Sequence, residues 1–270
     1  MIKPPPYDDQ GVGANMITII DTHAHIDQLE DLPGALARAD EAGVSDIVAV
    51  SVDLDSMKKV LAIAGQYRKP KIHPALGVHP GKVNENTQPL ALDFMRTNIK
   101  QARAIGETGL DYWYKWVRKD LVERGKQKDS FSFHLGLACE FDLPIVIHSR
   151  GAWRDCLSMA TACGVRRALF HWYSGPVDIL DQILEAGFYV STGPSVAYSP
   201  ESRRAMTHAP LERILVETDS PVNYKEGEGS FTAEPKDVIK TWKALAQLKN
   251  MNEEETLARV NTNAKEFFRI

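Results

Sequence analysis

Short apolar runs alternate with longer segments of helical spacing along most of the chain. The runs are "ITII" (17–20), "DIVAV" (46–50), "IHPALG" (72–77), "ARAIGE" (102–107), "PIVIH" (144–148), "RALFH" (167–171), "FYVSTG" (188–193) and "RILVET" (213–218). Their cores are continuous rather than alternating, as expected of parallel strands covered on both faces. Segments such as "LPGALARADEAGV", "DLDSMKKVLAIAGQY", "WRDCLSMATACGV" and "VDILDQILEAG" place apolar residues at helical intervals between them. Gly43, Gly164 and Gly187 stand just before the next strand, where helix C-caps fall. Two amphipathic segments, "EPKDVIKTWKALAQLK" and "NEEETLARVNTNAKEFF", close the chain. The second opens on Asn252 as an N-cap with acidic residues in its first turn. Eight strand–helix units without a linker predict one (β/α)8 TIM barrel over residues 16–270, in preference to an open doubly wound sheet. Residues 1–15, rich in Pro, Gly and Asp and without periodicity, read as a flexible N-terminal extension.

Composition narrows this picture without changing it. A chain of 270 residues, 43% hydrophobic and 25% charged, suits one large soluble barrel. The net charge of −4 excludes a protein that tracks nucleic acid with a whole basic face; any such contact has to be local. No apolar run approaches the ~20 residues that span a bilayer, and "MIKPPPYDDQGVGAN" lacks the apolar centre of a signal peptide. With three cysteines and no CxxC, a reducing, cytoplasmic setting is expected, without membrane or obligate protein partner. Cys139, in "HLGLACEF", reads as a core residue.

The reactive residue types collect where a TIM barrel carries its chemistry, at the C-terminal ends of the strands. Strand one leads into "DTHAH", with Asp21, His23 and His25. Later strands end in His79, in Glu107 and Asp111, in His148, in His171 and in Asp219. One histidine at a strand end is most often a satisfied polar residue, and "HxH" alone is a weak signal. Four imidazoles and two carboxylates on one face are a metal site. Residues i and i+2 of a strand point the same way, so His23 and His25 can face one ion. Six ligands exceed the need of one open site and suit two divalent ions (Mg, Mn or Zn) ~3.5–4 Å apart, with Glu107 the candidate bridge. His73, His134 and His208 lie away from this face and read as structural, and Glu217 as an outer residue at most.

Together "DTHAH", "GVHP", "GETGLDY", "QKDSF", "PIVIHSR", "FHWYSG", "ETDSP" and "NTNAKEFF" resemble the motifs of the TatD family of metal-dependent hydrolases, from about Ile17 to the C-terminus. In "QKDSF", Gln127 and Phe131 match a helix start. The resemblance implies a TIM barrel with deoxyribonuclease activity. His23, His25, Glu107 and Asp219 would hold one ion and Glu107, His148 and His171 the other, with His79 lining the site. The family's basic stretch after the last strand is reduced here to Lys225 and the Glu234–Pro235 pair.

The loop "DYWYKWVRKDLVERGKQ" interleaves aromatic residues with Lys115, Arg118, Lys119, Arg124 and Lys126. Aromatic faces stack bases and cations hold phosphates, so this loop is a candidate contact for DNA. The expected reaction is hydrolysis of a phosphodiester by a metal-activated water. Asp219 would take the proton, and His79, Arg150, Lys115 or Lys225 would hold phosphates. The competing reading is an amidohydrolase-type enzyme that uses the same site on an amide, lactone or phosphotriester.

Overall fold

The structure, a computed structural model, describes residues 18–270; the extension expected over residues 1–15 lies outside them. Eight strands form one parallel sheet in sequential order: β1 (Ile19–Ala24), β2 (Val44–Val50), β3 (Lys71–Leu76), β4 (Ala104–Asp111), β5 (Ile145–Arg150), β6 (Ala168–Phe170), β7 (Tyr189–Thr192) and β8 (Ile214–Val216). Helices α1 (Leu32–Glu41), α2 (Leu54–Gln66), α3 (Gln88–Asn98), α4 (Leu121–Glu140), α5 (Trp153–Cys163), α6 (Val177–Glu185) and α7 (Pro200–His208) connect successive strands. The chain then runs through a hairpin, β9 (Asn223–Glu226) and β10 (Gly229–Thr232), into α8 (Val238–Lys249) and α9 (Glu253–Phe268). The expected TIM barrel is the observed fold. Past β8 it closes onto β1: Ala24 bridges Ser220, the His25 N–H donates to the Ser220 carbonyl (2.8 Å) and the Asp219 N–H to the His23 carbonyl (2.9 Å).

Ile20, Val48, Ala75, Ala104, Val146, Leu169 and Leu215, one from each of seven strands, form an inner cluster with Phe267 and Phe268 of α9. Asn261 of α9 accepts from the Ile20 N–H (3.2 Å), and Asn263 donates to the Leu211 (2.7 Å) and Ile214 (2.9 Å) carbonyls, so the C-terminal helix lies across the starts of β1 and β8 and plugs the bottom of the barrel. Truncating a buried Phe typically costs about 3–5 kcal/mol, so the plug is a strong contribution to stability. The other strand face packs on the surrounding helices in the larger core cluster.

The inward period of two carries straight from this core to His148 on β5, His171 past β6 and Glu217 past β8. On β1 and β4 it does not. Counting by twos from Ile20 and Ala104 misses His23 and Glu107. The strand pairings break register between Asp21 and Ala24 and again between Ile105 and Thr108, and these irregularities change the phase. Strand ends also differ from the hydrophobic runs: β1 continues through His23 and β4 through Asp111, because ladder hydrogen bonds do not stop where apolar residues stop.

Two expectations need correction, and one element falls outside the apolar pattern. Helix α4 begins at Leu121, not Gln127, since Asp120 caps it by accepting from the Val122 and Glu123 N–H groups. Its first turn is exposed and so carries no apolar periodicity. The β9–β10 hairpin was not foreseen, its residues being mostly exposed and its pattern therefore not core-facing. Cys139 is exposed; Leu135 and Ala138 hold the buried stripe of that turn, and Cys139 falls beside it. Among the described residues, no helix is long and apolar enough to cross a membrane.

Candidate metal centre

Glu107 sits at the middle of the site. Its Oε1 lies 2.9 Å from His148 Nδ1 and 2.9 Å from His171 Nε2. Its Oε2 lies 3.3 Å from His25 Nε2 and 3.6 Å from His23 Nε2. Asp219 Oδ1 faces the same two rings, 3.2 Å from His25 and 3.4 Å from His23. The side chains thus fall into two groups that share one carboxylate: His23, His25 and Asp219 on one oxygen, His148 and His171 on the other. His23 stacks on His171 at 4.0 Å between ring centres, which ties the groups together.

Two glycines of "GETG" make this placement possible. Gly106 takes φ +146° and Gly109 φ +138°, a region closed to most side chains. A Cβ on Gly109 would stand 2.0 Å from the His148 carbonyl oxygen, so β4 and β5 approach here as only glycine allows.

Outer residues fix the inner rings. His148 Nε2 lies 3.1 Å from Asp111 Oδ2, and Asp111 also binds Arg150 (2.9 Å) and accepts from the Trp113 N–H (2.9 Å). His171 Nδ1 lies 3.5 Å from Glu217 Oε1, whose other oxygen accepts from the Ser191 hydroxyl (2.5 Å). Asp21 does not enter the site. It accepts from the Thr218 N–H (3.0 Å) and hydroxyl (2.6 Å), holding the segment that carries Asp219. Gln127 accepts from the Asp111 N–H (3.0 Å) and donates to the Pro80 carbonyl (3.3 Å), joining the loop after β3 to the end of β4. Glu217 stands behind His171 as the outer residue expected, whereas Asp111, behind His148, is a supporting position to which sequence reasoning gave no role. Their signal is the spacing to a ligand-type residue on the same or a neighbouring strand, and it becomes specific only in three dimensions.

The electrostatics follow from two buried carboxylates. Burial works against ionisation of Glu107, yet His79, His171 and His148 hold it well below the usual carboxylate range. Burial likewise opposes ionised Asp219, and the adjacent His23 and His25 rings prevail, holding it below the usual carboxylate range. Burial disfavours a charged His25, but Asp219 and Glu107 push it up to about 10. Against the same opposition from burial, His148 is raised by Asp111 and Glu107, and His171 by Glu107 and Glu217. The pocket therefore demands positive charge. Both ring nitrogens of His23, His25 Nδ1 and Asp219 Oδ1 are buried without a hydrogen bond. Nitrogen and carboxylate donors in that condition fit a divalent ion, and three triads, His23–Glu107–His171, His23–His25–Asp219 and His79–Glu107–His148, have donor atoms within 4.8 Å of one another.

His79 is a different case. Its Nδ1 accepts from the Gly81 N–H (2.9 Å), which leaves the proton of the neutral ring on Nε2, 3.6 Å from Glu107 Oε1. Burial, against the pull of Glu107 and with His148 and His25 adding to it, lowers His79 to about 3. His134 is structural as expected, accepting from the Val78 N–H (3.0 Å) behind the same loop. His73 pairs with Asp46 (2.7 Å) and His208 with Asp181 (2.6 Å), both away from the site.

The site opens into a cleft of about 1130 Å³ lined by Lys59, Lys82 and Arg150, by Trp113, Trp172 and Tyr198, and by several hydroxyls and acids. Lys115 and Lys225 are exposed and outside this lining. Lys225 instead lies 6.0 Å from the ring centre of Tyr198. Of the aromatic loop, Tyr112 is buried, with its hydroxyl on Asp155 (2.8 Å), while Trp113 and Trp116 are more than half exposed. Glu234 does not face the cleft; it clamps Arg38 of α1 through two hydrogen bonds (2.8 and 2.7 Å).

A parallel eight-stranded barrel with imidazoles and carboxylates gathered at its C-terminal end is the architecture of a metal-dependent hydrolase. The TatD related DNase family profile matches residues 20–269, and the chain belongs to that family. It is 29% identical over 260 residues to YabD of Bacillus subtilis, an uncharacterized metal-dependent hydrolase, covering 93% of this chain and 99% of that protein. It is 26% identical over 264 residues to the human deoxyribonuclease TATDN3, covering 93% and 95%. The crystal structure of YJJV, a TatD homolog from Escherichia coli K12, superposes with a TM-score of 0.85 at 24% identity, covering 94% and 99%, which supports the fold.

Proposed function

We propose that the protein is a divalent-metal-dependent deoxyribonuclease. In this reading His23, His25, Glu107 and Asp219 would hold one ion, and Glu107, His148 and His171 would hold the other. The observation that carries it is the division of Glu107, one oxygen toward each group of imidazoles. Two divalent ions of the Mg, Mn or Zn kind, when bound, neutralise charge on an attacked phosphoryl oxygen and make water nucleophilic at neutral pH. Asp219 orients the attacking water and accepts its proton, then returns it to the leaving oxygen. His79 donates from Nε2 to a phosphate oxygen rather than ligating, because its Nδ1 is occupied by Gly81. Arg150, paired with Asp111 and beside Trp113 and Tyr114, binds a neighbouring phosphate. Lys59 and Lys82 extend that positive lining, and Lys115 and Lys225 are left to more distant phosphates of a polymer. Trp113 and Trp172 offer faces on which bases stack. The cleft exceeds the roughly 300–1,000 Å³ typical of small-ligand sites, which favours a polymer over a small amide or lactone.

The test is cleavage of single-stranded and duplex DNA in Mg²⁺, Mn²⁺ or Zn²⁺, beside a panel of amides, lactones and phosphotriesters. DNA should be cut only with metal present, and Asp219→Asn should be inactive while remaining folded. Turnover of the small substrates with inert DNA would replace this reading by the amidohydrolase one. Cleavage that survives Asp219→Asn would contradict the role of that residue.

The partners behind the rings are expected to matter nearly as much. Asp111→Asn should weaken Mn²⁺ binding about 10–100-fold, because a ligating imidazole is oriented through its other nitrogen. Calorimetric titration of Mn²⁺ into stripped protein measures this, and an unchanged affinity would remove the orienting role.

A further inference from the structure

On the outer surface of the barrel, away from the metal centre, Cys139 near the end of α4 and Cys163 at the end of α5 bring their sulfurs to 3.3 Å. Both residues are exposed. The Cys139 thiol also donates toward the Cys163 carbonyl (3.3 Å), so it already lies along the terminus of its neighbour helix. We propose that these residues are a redox-active dithiol, which a hydroperoxide converts to an intramolecular disulfide joining α4 to α5.

A disulfide bond of about 2.05 Å requires the sulfurs to close by roughly 1.2 Å. Cys163 is the last residue of α5 and is followed by Gly164, so the backbone there can accommodate the shift. Both thiols are exposed and either order of attack yields the same bond, as when the first attack falls to the Cys163 sulfur. In its thiolate form it attacks a peroxide oxygen. The O–O bond breaks, the distal oxygen leaves as water or alcohol after protonation, and Cys163 becomes a sulfenic acid. The Cys139 sulfur then attacks the Cys163 sulfur, the S–O bond breaks, and water departs with the Cys139 proton. Two electrons pass from the two sulfurs to the peroxide, which is the only oxidant required. The third cysteine cannot compete: Cys156 is fully buried and burial pushes its thiol up to about 12.

The bond would close a covalent ring through β5, the strand that carries His148 and Arg150. Its effect is to restrict the unfolded chain, so oxidation should stabilise the protein and leave the cleft unchanged.

The experiment treats the reduced full-length protein with dilute hydrogen peroxide and follows intact mass, free thiols after denaturation, and Tm. The expected result is a loss of about 2 Da, two hydrogens, with two of the three thiols consumed and dithiothreitol restoring them. Tm should rise by several degrees, up to about 10 °C. Cys139→Ser and Cys163→Ser should each keep wild-type nuclease activity, gain oxygen mass instead of losing hydrogen, and show no rise in Tm. Wild-type protein that only gains oxygen mass, or only forms intermolecular dimers, would overturn the proposal.

Discussion

Glu107→Gln strips the protein of divalent metal and lowers DNA cleavage by about a thousand-fold or more, the equivalent of several kcal/mol of transition-state stabilisation. The substitution is nearly isosteric, so the buried position stays filled. What changes is charge and donor capacity at the one side chain that faces both groups of imidazoles. Oε1 stands between His148 and His171, and Oε2 faces His23 and His25. A carboxamide presents only one oxygen acceptor, so one of the two groups loses its shared ligand outright. The charge balance shifts as well, because Glu107 is the carboxylate common to the surroundings that raise His25, His148 and His171. Metal analysis after dialysis, steady-state cleavage and circular dichroism check the prediction together. Retained metal at wild-type stoichiometry, with a normal fold, would mean that Glu107 does not bridge.

Gly109→Ala destabilises the barrel by about 3–5 kcal/mol, the range of severe point substitutions. The new methyl would stand 2.0 Å from the His148 carbonyl oxygen, and the backbone is held at φ +138°. Neither conflict relaxes locally. The carbonyl belongs to β5, whose pairing with β4 is fixed from Thr108–Ile147 to Asp111–Arg150. Moving β5 away displaces His148 from Glu107, so activity falls with stability. Gly136→Ala is the matched control: it lies in α4 with nothing within 4 Å of the added methyl. There alanine should be neutral or stabilise by about 0.5–1 kcal/mol. Urea denaturation of both variants settles the comparison; a Gly109→Ala midpoint equal to wild type would show that the strands can separate without cost.

The eight apolar runs and the helices between them were legible because each element buries one continuous face, and burial leaves a period in the sequence. The metal-ligand types were legible because His23, His25, Glu107, His148, His171 and Asp219 each fall at the end of such a run. The apolar pattern places the start of helix α4 six residues late, because its first turn is exposed and held by the Asp120 cap rather than by core contacts. Cys139 was misplaced for a related reason: an apolar neighbourhood in sequence does not say on which side of the stripe a residue falls. The β9–β10 hairpin left no trace because almost nothing in it is buried.

By itself, then, the amino-acid sequence determined the eight strands of the barrel, their parallel order and the inventory of residues at one end of it, since these follow from burial and from which residue types stand at each strand's end. The tertiary structure decided how those residues meet. A strict period of two points His23 and Glu107 away from the interior; the register breaks on β1 and β4 turn them in. Only the folded barrel sets Glu107 between two groups of imidazoles and puts Asp111 behind His148 and Glu217 behind His171. Those contacts join strands far apart along the chain, and no local pattern encodes the phase at which one strand's side chains meet another's.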